Sequence, residues 1–525
     1  MQEPTIYRRQ ERLRKMTNGL GWGDAYGATI GRIKAQGGDK CRLGMGALMW
    51  ISHAERPLRA DELCHAMAVE LGSTDFNVKN VPSTLTLVSC CQGLITVDKE
   101  KSTVRLIHFT LKEYLSARPD IFIRPHSAMA EICLTYLNSR QVKALSADAF
   151  PYTSGTSFLR YCSRYWGAHA KRDLSDHARS LALELFQYCN GHISVTWLLA
   201  HSGYMSQMRQ GMRFRFSGLH WASFFGIAEV AAALIEMESY DINEGDFWGN
   251  TPLAWAANHG HEGVVKILLR QAGINPDKAD NNGNTPLSLA ALGGHKGVVR
   301  VLLERDEVNP NKADNSGSTP LLYAAWGGHG GVVKVLLEWD GVDPEEPDND
   351  GRTPLQEAAL GGHEAVVKIL LAREAVNPDK PDKHGSTPLS LAAEGGHEDV
   401  VKVLLRRQEV NRENLDNDGD TPLSCAALGG SEGVVKILLE REGVNPDNPN
   451  NTGQTPLSIA ACRGHEGVVK ILLKREGVIP NKADNSGQTP LMHAARRGCQ
   501  RVIELLQPHE VATHVTLSGS GDTTT

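Results

Sequence analysis

Histidines recur at one register in the second half of the chain, and histidine is the commonest metal-ligating side chain in proteins. They are separated by 34 residues or a multiple of 34: His261, His295, His329, His363, His397 and His465. A row of imidazoles at fixed spacing could hold an array of metal ions. However, Ser431 and Cys499 occupy the same register. We therefore predict no metal site and interpret these histidines as structural.

No short motif of the sequence establishes catalysis. It contains no H-E-x-x-H, C-x-x-C or phosphate-binding G-x-x-x-x-G-K-[ST] string, and "GATIGRIK" and "GGDKCRLG" are its nearest glycine–cation stretches. We predict that the protein is not an enzyme and needs no cofactor. The scattered cysteines favour a reducing, cytoplasmic location. No apolar run approaches the roughly 18 residues that predict a membrane span.

The tripeptide Thr-Pro-Leu recurs with a period of 34 residues. It begins at Thr251, Thr285, Thr319, Thr353, Thr387, Thr421, Thr455 and Thr489. One period earlier, Ser217 opens a degenerate copy. We number the repeats 1 to 9, beginning with the copy at Ser217, and we count the link before each threonine with the repeat that it precedes. A fixed period of this length predicts a stack of repeated structural units.

The residue types within a repeat predict a pair of helices. Threonine can cap a helix start, and proline fits the first helical position. Two small alanines follow, and a glycine such as Gly294 suits a helix end. The second helix carries Val298, Val299, Leu302 and Leu303 on one apolar stripe. One repeat cannot cover this stripe alone, so we predict that neighbouring repeats bury it.

The repeat resembles the ankyrin repeat in its Asp-x-x-Gly-x-Thr-Pro-Leu, Ala-Ala, Gly-His, Val-Val and Leu-Leu pairs. The resemblance implies a mainly α fold, an ankyrin-repeat α-solenoid of about nine repeats whose concave groove binds a protein ligand. The usual ankyrin period is one residue shorter, and the extra residue falls in the link between repeats.

Positions that vary between repeats are the candidates for binding. Seven residues after each threonine, which we call position +7, the side chain changes from Leu292 to Trp326, Leu360 and Glu394. We predict that Leu292, Trp326 and Leu360 form an apolar ridge on the groove face, with glycines at position +8 leaving open space beside it. The alternative is that Trp326 lies flat on its neighbours and only shields helix ends. The predicted partner-binding residues are Phe247, Trp248, Leu292, Trp326, Arg352, Leu360, Lys383, His384 and Glu394.

The segment 41–118 predicts three helices and a two-stranded hairpin, which is a winged-helix pattern. DNA binding is one role of that shape, but the third helix region is nearly uncharged, and DNA affinity requires neutralisation of phosphates. We therefore predict no nucleic-acid partner. His108, beside the hairpin, is interpreted as a buried structural histidine.

Motifs in this half resemble a second family. "WISHAERPL", "CCQGLITVD" and "VRLIHFTLKEYL" resemble the winged-helix segment of fungal NACHT–ankyrin proteins, which are STAND-type signalling ATPases linked to nonself recognition. "FLRYCSRYWGAHA" resembles their helical connector. The resemblance implies a NACHT remnant (1–40), a winged-helix-like domain (41–118) and a connector (119–216). The period places the ankyrin repeats at 217–508, and the polar composition of the last residues predicts a disordered tail (509–525). We expect no NTPase domain.

Opposite charges separate the two halves of the chain. Residues 1–216 carry 28 basic and 18 acidic side chains, whereas residues 217–525 carry 27 and 43. The halves could dock on each other, or the repeats could simply have copied their acidic links. For function, the sequence favours a recognition module of a STAND-type receptor. A generic ankyrin adaptor, and a nucleotide switch acting with a separate NACHT chain, remain alternatives.

Overall fold

The structure is a computed structural model that describes residues 22–145, 157–187, 192–195 and 215–518, apart from residues 72, 74, 75, 99, 238 and 239. Contacts divide the chain into two compact parts, Met1–Pro252 and Leu253–Thr525. Both parts are mainly helical, as predicted.

The N-terminal part begins with a small helical domain that carries a hairpin. Its helices are α1 (Trp22–Ala35), α2 (Gly38–His53), α3 (Ala60–Ala68), α4 (Thr84–Cys90) and α5 (Phe109–Ser116), with a 3-10 turn at Val78–Asn80. Strands β1 (Ile95–Asp98) and β2 (Thr103–Leu106) pair antiparallel, with Ile95 opposite Leu106. The amide of Val104 donates to the carbonyl of Leu58, so an extended segment before α3 adds a short third edge. Three helices followed by this hairpin form the predicted winged helix.

Further helices of the same part follow α5. They are α6 (Pro125–Asn138), α7 (Arg140–Lys143), α8 (Ser157–Arg172), α9 (Asp176–Gln187), and the two helices of repeat 1, α10 (Gly218–Phe225) and α11 (Ala228–Glu236). Helix α8 packs against α6 and α3, so it connects the winged helix to the helices after it. Its buried side chains include Phe158, Tyr161 and Trp166.

The first helices of repeats 2 to 9 start at the residue after the threonine. They are α12 (Pro252–Asn258), α14 (Pro286–Leu292), α16 (Pro320–Trp326), α18 (Pro354–Leu360), α20 (Pro388–Glu394), α22 (Pro422–Gly429), α24 (Pro456–Arg463) and α26 (Pro490–Arg497). In α16 the hydroxyl of Thr319 accepts a hydrogen bond from the amide of Leu322 at 3.3 Å, and the same cap recurs from Thr285 to Thr489. Proline at the first position loses no bond, because that amide has no partner within the helix.

The second helices run along the other side of the stack. They are α13 (Glu262–Leu269), α15 (Lys296–Leu303), α17 (Gly330–Leu337), α19 (Glu364–Leu371), α21 (Glu398–Leu404), α23 (Glu432–Leu439), α25 (Glu466–Leu473) and α27 (Gln500–Ser518). In α15, Val298, Val299 and Leu302 are at most 1% exposed. First helices pack on first helices and second on second between successive repeats of the C-terminal part, which buries the apolar stripe as predicted.

The end of the chain differs from the expectation of a disordered tail after residue 508. Helix α27 continues past Pro508 to Ser518. Proline here still allows the helix to continue, although it removes one backbone donor. Residues 519–525 lie outside the described residues. No helix in the described part of the chain is long and apolar enough to span a membrane.

Candidate interaction surface of the repeats

A tight turn precedes each first helix and is organised by an aspartate. In repeat 4 the carboxylate of Asp314 accepts hydrogen bonds from the amides of Ser316 at 2.9 Å and Ser318 at 2.8 Å. The following Gly317 has a φ of 81°, a conformation that favours glycine. This geometry explains the Asp-x-x-Gly signature, and it fixes the turn before any ligand arrives.

A ladder of asparagines joins the turns of successive repeats. The side-chain amide of Asn349 donates to the carbonyl of Asn315 at 3.0 Å, and Asn417, Asn451 and Asn485 continue the pattern one repeat further each time. Lys383 fills the same position in repeat 6, where its Nζ donates to the carbonyl of Asn349 at 2.5 Å. The backbone N–H of each of these residues also donates to a backbone carbonyl in the turn of the preceding repeat. The side chains at this turn position, including that of Lys383, are therefore used in hydrogen bonds that join the repeats.

The periodic histidines bridge neighbouring repeats. His363 Nε2 donates to the carbonyl of Trp326 at 2.9 Å, and His329, His397 and His465 make the same bond to the residue at position +7 of the preceding repeat. Ser431, which replaces the histidine in repeat 7, instead caps its own helix by accepting a hydrogen bond from the amide of Val434. No group of three or more potential metal ligands occurs among the described residues. The histidines hold the backbone of position +7 while its side chain stays free to vary.

Trp326 is one of the most exposed large apolar side chains of the repeats, with 55% of its surface accessible. Leu292 and Leu360, at the same position in the neighbouring repeats, are half-buried. The helices that carry them, α14, α16 and α18, pack in succession. An aromatic side chain flanked by aliphatic ones on adjacent helices has the composition of a protein-binding hot spot.

The glycines beside this ridge do not leave open space, contrary to the sequence-based expectation. A Cβ added at Gly327 would lie 2.6 Å from the imidazole of His329 in the same repeat, and one at Gly293 would meet His295 as closely. The glycines at position +8 therefore make room for the bridging histidines rather than for a ligand.

Arg352 belongs to a buried charged cluster. Its guanidinium lies 3.4 Å from Glu357 Oε1 and 3.6 Å from Asp382 Oδ2, and both carboxylates are nearly fully buried. Burial raises the pKa of Glu357, and the nearby Arg352 opposes that rise. The predicted contact residue Arg352 therefore neutralises carboxylates of two repeats and is held in place by them.

The predicted partner-binding residues Glu394 and His384 are exposed. Glu394 and the side chain of His384 have no hydrogen bond or ion pair in the described part of the chain. Both lie at positions where the repeats differ, and both remain available to a ligand.

The aromatic pair before repeat 2 belongs to the N-terminal part. Phe247 is 39% exposed and contacts the Trp248 ring edge-on at 5.5 Å. Trp248 is only 8% exposed, so little of this predicted partner-binding residue is accessible to a ligand. The amide of Trp248 donates to the carboxylate of Asp246, and the turn directs the ring into the protein.

Three exposed arginines near the end of the stack are not among the predicted partner-binding residues. Arg463 in repeat 8 and Arg497 in repeat 9 stand at position +8, which is glycine in repeats 3 to 7, and Arg496 stands at position +7. All three are exposed, and no ion pair or hydrogen bond of their guanidinium groups occurs among the described residues. The change from glycine to arginine in the last two repeats is the signal that could have identified them.

The N-terminal part contains a histidine cluster that the sequence did not reveal. Nδ1 of His126 and Nδ1 of His169 share a hydrogen bond of 2.9 Å, and His169 Nε2 lies 2.9 Å from the hydroxyl of Tyr161. Burial lowers the pKa of His169 to about 3. His108, by contrast, is exposed and caps α5 through Thr110, so the expectation that it is buried is wrong.

Comparison with known families agrees with this geometry. Seven overlapping segments between residues 185 and 517 match the family described as "Ankyrin repeats (3 copies)". The chain belongs to the ankyrin repeat family. Residues 34–120 match the "GPI inositol-deacylase, winged helix domain". No curated protein matches the sequence. Ankyrin repeats form protein-interaction modules, and this class of protein is generally not enzymatic.

Proposed function

We propose that the repeats recognise a protein ligand through the face that carries Leu292, Trp326 and Leu360. The exposure of Trp326 supports this most directly, because its backbone is fixed by His363 while more than half of its side chain contacts solvent. Burial of such a ring against a partner removes a large apolar area from water. Glu394 and His384 border the same face in the next repeat.

A pair of tryptophans in repeat 4 provides the test. Trp339 is 37% exposed but follows the second helix, α17, on the other side of the repeat. We expect Trp326→Ala to abolish capture of the partner by the full chain, measured by quantitative cross-linking and mass spectrometry. Trp339→Ala should capture it like the wild type. Equal capture by both variants, or equal loss in both, would contradict the proposal.

We further propose that this module works in STAND-type signalling, in the manner of fungal NACHT–ankyrin receptors for nonself recognition. The winged helix before the repeats supports this context. A generic ankyrin adaptor, and a switch completed by a separate NACHT ATPase chain, are the competing proposals. An equilibrium ATP-binding measurement on the chain should show no specific binding, and specific binding would contradict our assignment of the N-terminal part. Complementation predicts that ATP-dependent assembly appears only when a NACHT chain is added.

A further inference from the structure

We infer that the ligand of the groove is an extended protein segment with an apolar anchor at one end and a cluster of carboxylates at the other. This inference rests on the proposed function of the ridge and adds a second contact zone to it. The new zone consists of Arg463, Arg496 and Arg497, which we call the arginine cluster.

The arginine cluster lies at the positions of the fold that are free to bind. The bonds that build each repeat come from the capping threonine, the bridging histidine and the asparagine ladder, and none of them needs a cation at position +7 or +8. The first helix of every repeat has a C-terminal end at which a cation would be favourable. Repeats 3 to 7 nevertheless carry glycine at position +8. The arginines are therefore an addition to the scaffold in repeats 8 and 9 only.

The guanidinium groups of the cluster have unused binding capacity. Arg501, in the first turn of α27, lies 3.5 Å from Glu466 Oε2 and forms an ion pair. Arg463, Arg496 and Arg497 are exposed and have no such partner in the described part of the chain. Since α24 and α26 pack side by side, the three side chains originate from adjacent helix ends. Guanidinium groups bind carboxylates through paired, charge-assisted hydrogen bonds.

Two carboxylates without ion pairs lie between the ridge and the arginine cluster, in addition to the ladder cation Lys383. Glu394 in repeat 6 and Asp418 in the turn of repeat 7 are both exposed, and neither carboxylate has an ion pair among the described residues. A continuous polyanion such as a nucleic acid would be repelled as it passed them. A polypeptide can place its negative charge at one end, so the charge order of the groove favours a protein segment.

The separation of the two zones sets the length of the ligand. Trp326 lies in repeat 4 and Arg463 in repeat 8, so four helix-to-helix steps separate them. At about 8–10 Å per step the distance is about 32–40 Å. An extended chain covers it in about 10–12 residues. A bound segment should thus carry its apolar and acidic ends about that far apart.

Selection of random peptides of about 16 residues, displayed on phage, against the full chain tests the inference. We expect the wild type to select peptides with an aromatic or aliphatic cluster and a separate Glu/Asp cluster. The variant Arg463→Gln/Arg496→Gln/Arg497→Gln should lose only the acidic preference. For one selected peptide, fluorescence anisotropy should show at least about a tenfold weaker Kd in that variant.

A matched variant separates the arginine cluster from net charge. Lys296, Arg300 and Lys334 are exposed on second helices of repeats 3 and 4, and their change to glutamine removes the same charge. This control should keep the acidic preference. An equal loss in the control, an unchanged preference in the arginine variant, or stronger competition by single-stranded DNA than by the peptide would overturn the inference.

The same selection distinguishes this inference from the proposed function. Trp326→Ala should lose the apolar preference and keep the acidic one. If Trp326→Ala changes nothing while the arginine variant loses acidic peptides, the ridge proposal fails and the arginine cluster stands. If only Trp326→Ala alters the selection, the ridge stands and the inference fails.

Discussion

The two parts of this chain achieve stability in different ways. In the N-terminal part, a few large side chains make contacts that occur once, such as the edge-on contact between Trp50 and Phe158 at 5.5 Å. In the C-terminal part, the same small set of caps, ladder bonds and histidine bridges recurs every 34 residues. Loss of one contact should therefore be severe in the first part and modest in the second. A repeated scaffold also frees individual positions to vary for binding.

The largest expected change in stability comes from the loss of Trp50, and the loss of Trp326 is the matched comparison. Trp50 is fully buried between α2 and α8, so Trp50→Ala should destabilise the N-terminal part by about 3–5 kcal/mol. Trp326→Ala removes a half-exposed ring and should change stability by less than about 0.5 kcal/mol. Hydrogen exchange read by mass spectrometry resolves both parts in one chain. A loss of protection throughout the repeats in Trp326→Ala would show that this ring is part of the scaffold.

Acid should affect the two parts in opposite directions. Burial, together with the nearby charges of His126 and Arg172, lowers the pKa of His169 to about 3. Burial also lowers the pKa of His192 and His220 to about 4. The unfolded state then binds more protons below pH 6.5, so the free energy of unfolding falls as the pH falls. For His169 alone the loss by pH 4 is about 3 kcal/mol.

The repeats contain buried and half-buried carboxylates whose pKa moves the other way. Burial raises the pKa of Asp420 to about 6, and it also raises that of Glu357 and Asp277. Such groups contribute more stability when protonated, so they oppose acid unfolding between about pH 6 and 4. Urea unfolding at a series of pH values, followed by hydrogen exchange, should show the N-terminal part unfolding first at pH 4.5. His169→Gln should flatten its pH dependence, and an unchanged slope would exclude this histidine as the cause.

The loss of one histidine bridge should have a modest effect on stability. His363→Ala removes the bond to the carbonyl of Trp326 and should cost about 1 kcal/mol, because the neighbouring bridges remain. Ser431 shows that the stack accommodates a repeat without this ring. Equilibrium urea unfolding measures the change. A cost as large as that of Trp50→Ala would mean that the repeats are no more tolerant than the N-terminal part.

The repeated region could be predicted largely from the sequence. Threonine caps, alanine contacts and the valine–leucine stripe act locally and recur, so the helices and their packing follow from the pattern. The same pattern did not show that Trp248 is buried or that Arg352 contacts two buried carboxylates. Those outcomes depend on contacts with side chains elsewhere in the sequence, and they occur at single repeats where no period reveals them.

The N-terminal part shows where sequence patterns give less information. The winged helix was predicted from its element order, because helix and hairpin signals are local. The cluster of His126, His169 and Tyr161 combines residues up to 43 positions apart, and no spacing rule connects them. The exposure of His108 was also misjudged, since its burial depends on which surface of the hairpin is covered.

The asparagine ladder has a consequence for how this groove can change its reach. The joint made by Asn451 on Asn417 uses the same atoms as the joint made by Asn485 on Asn451. Removal of residues 421–454 would bring Asn485 opposite Asn417 with an equivalent bond available. Gain or loss of a whole repeat thus moves Arg463 relative to Trp326 by one step of about 8–10 Å without a new kind of joint. The distance between the two proposed contact zones would therefore change in fixed increments as repeats are gained or lost.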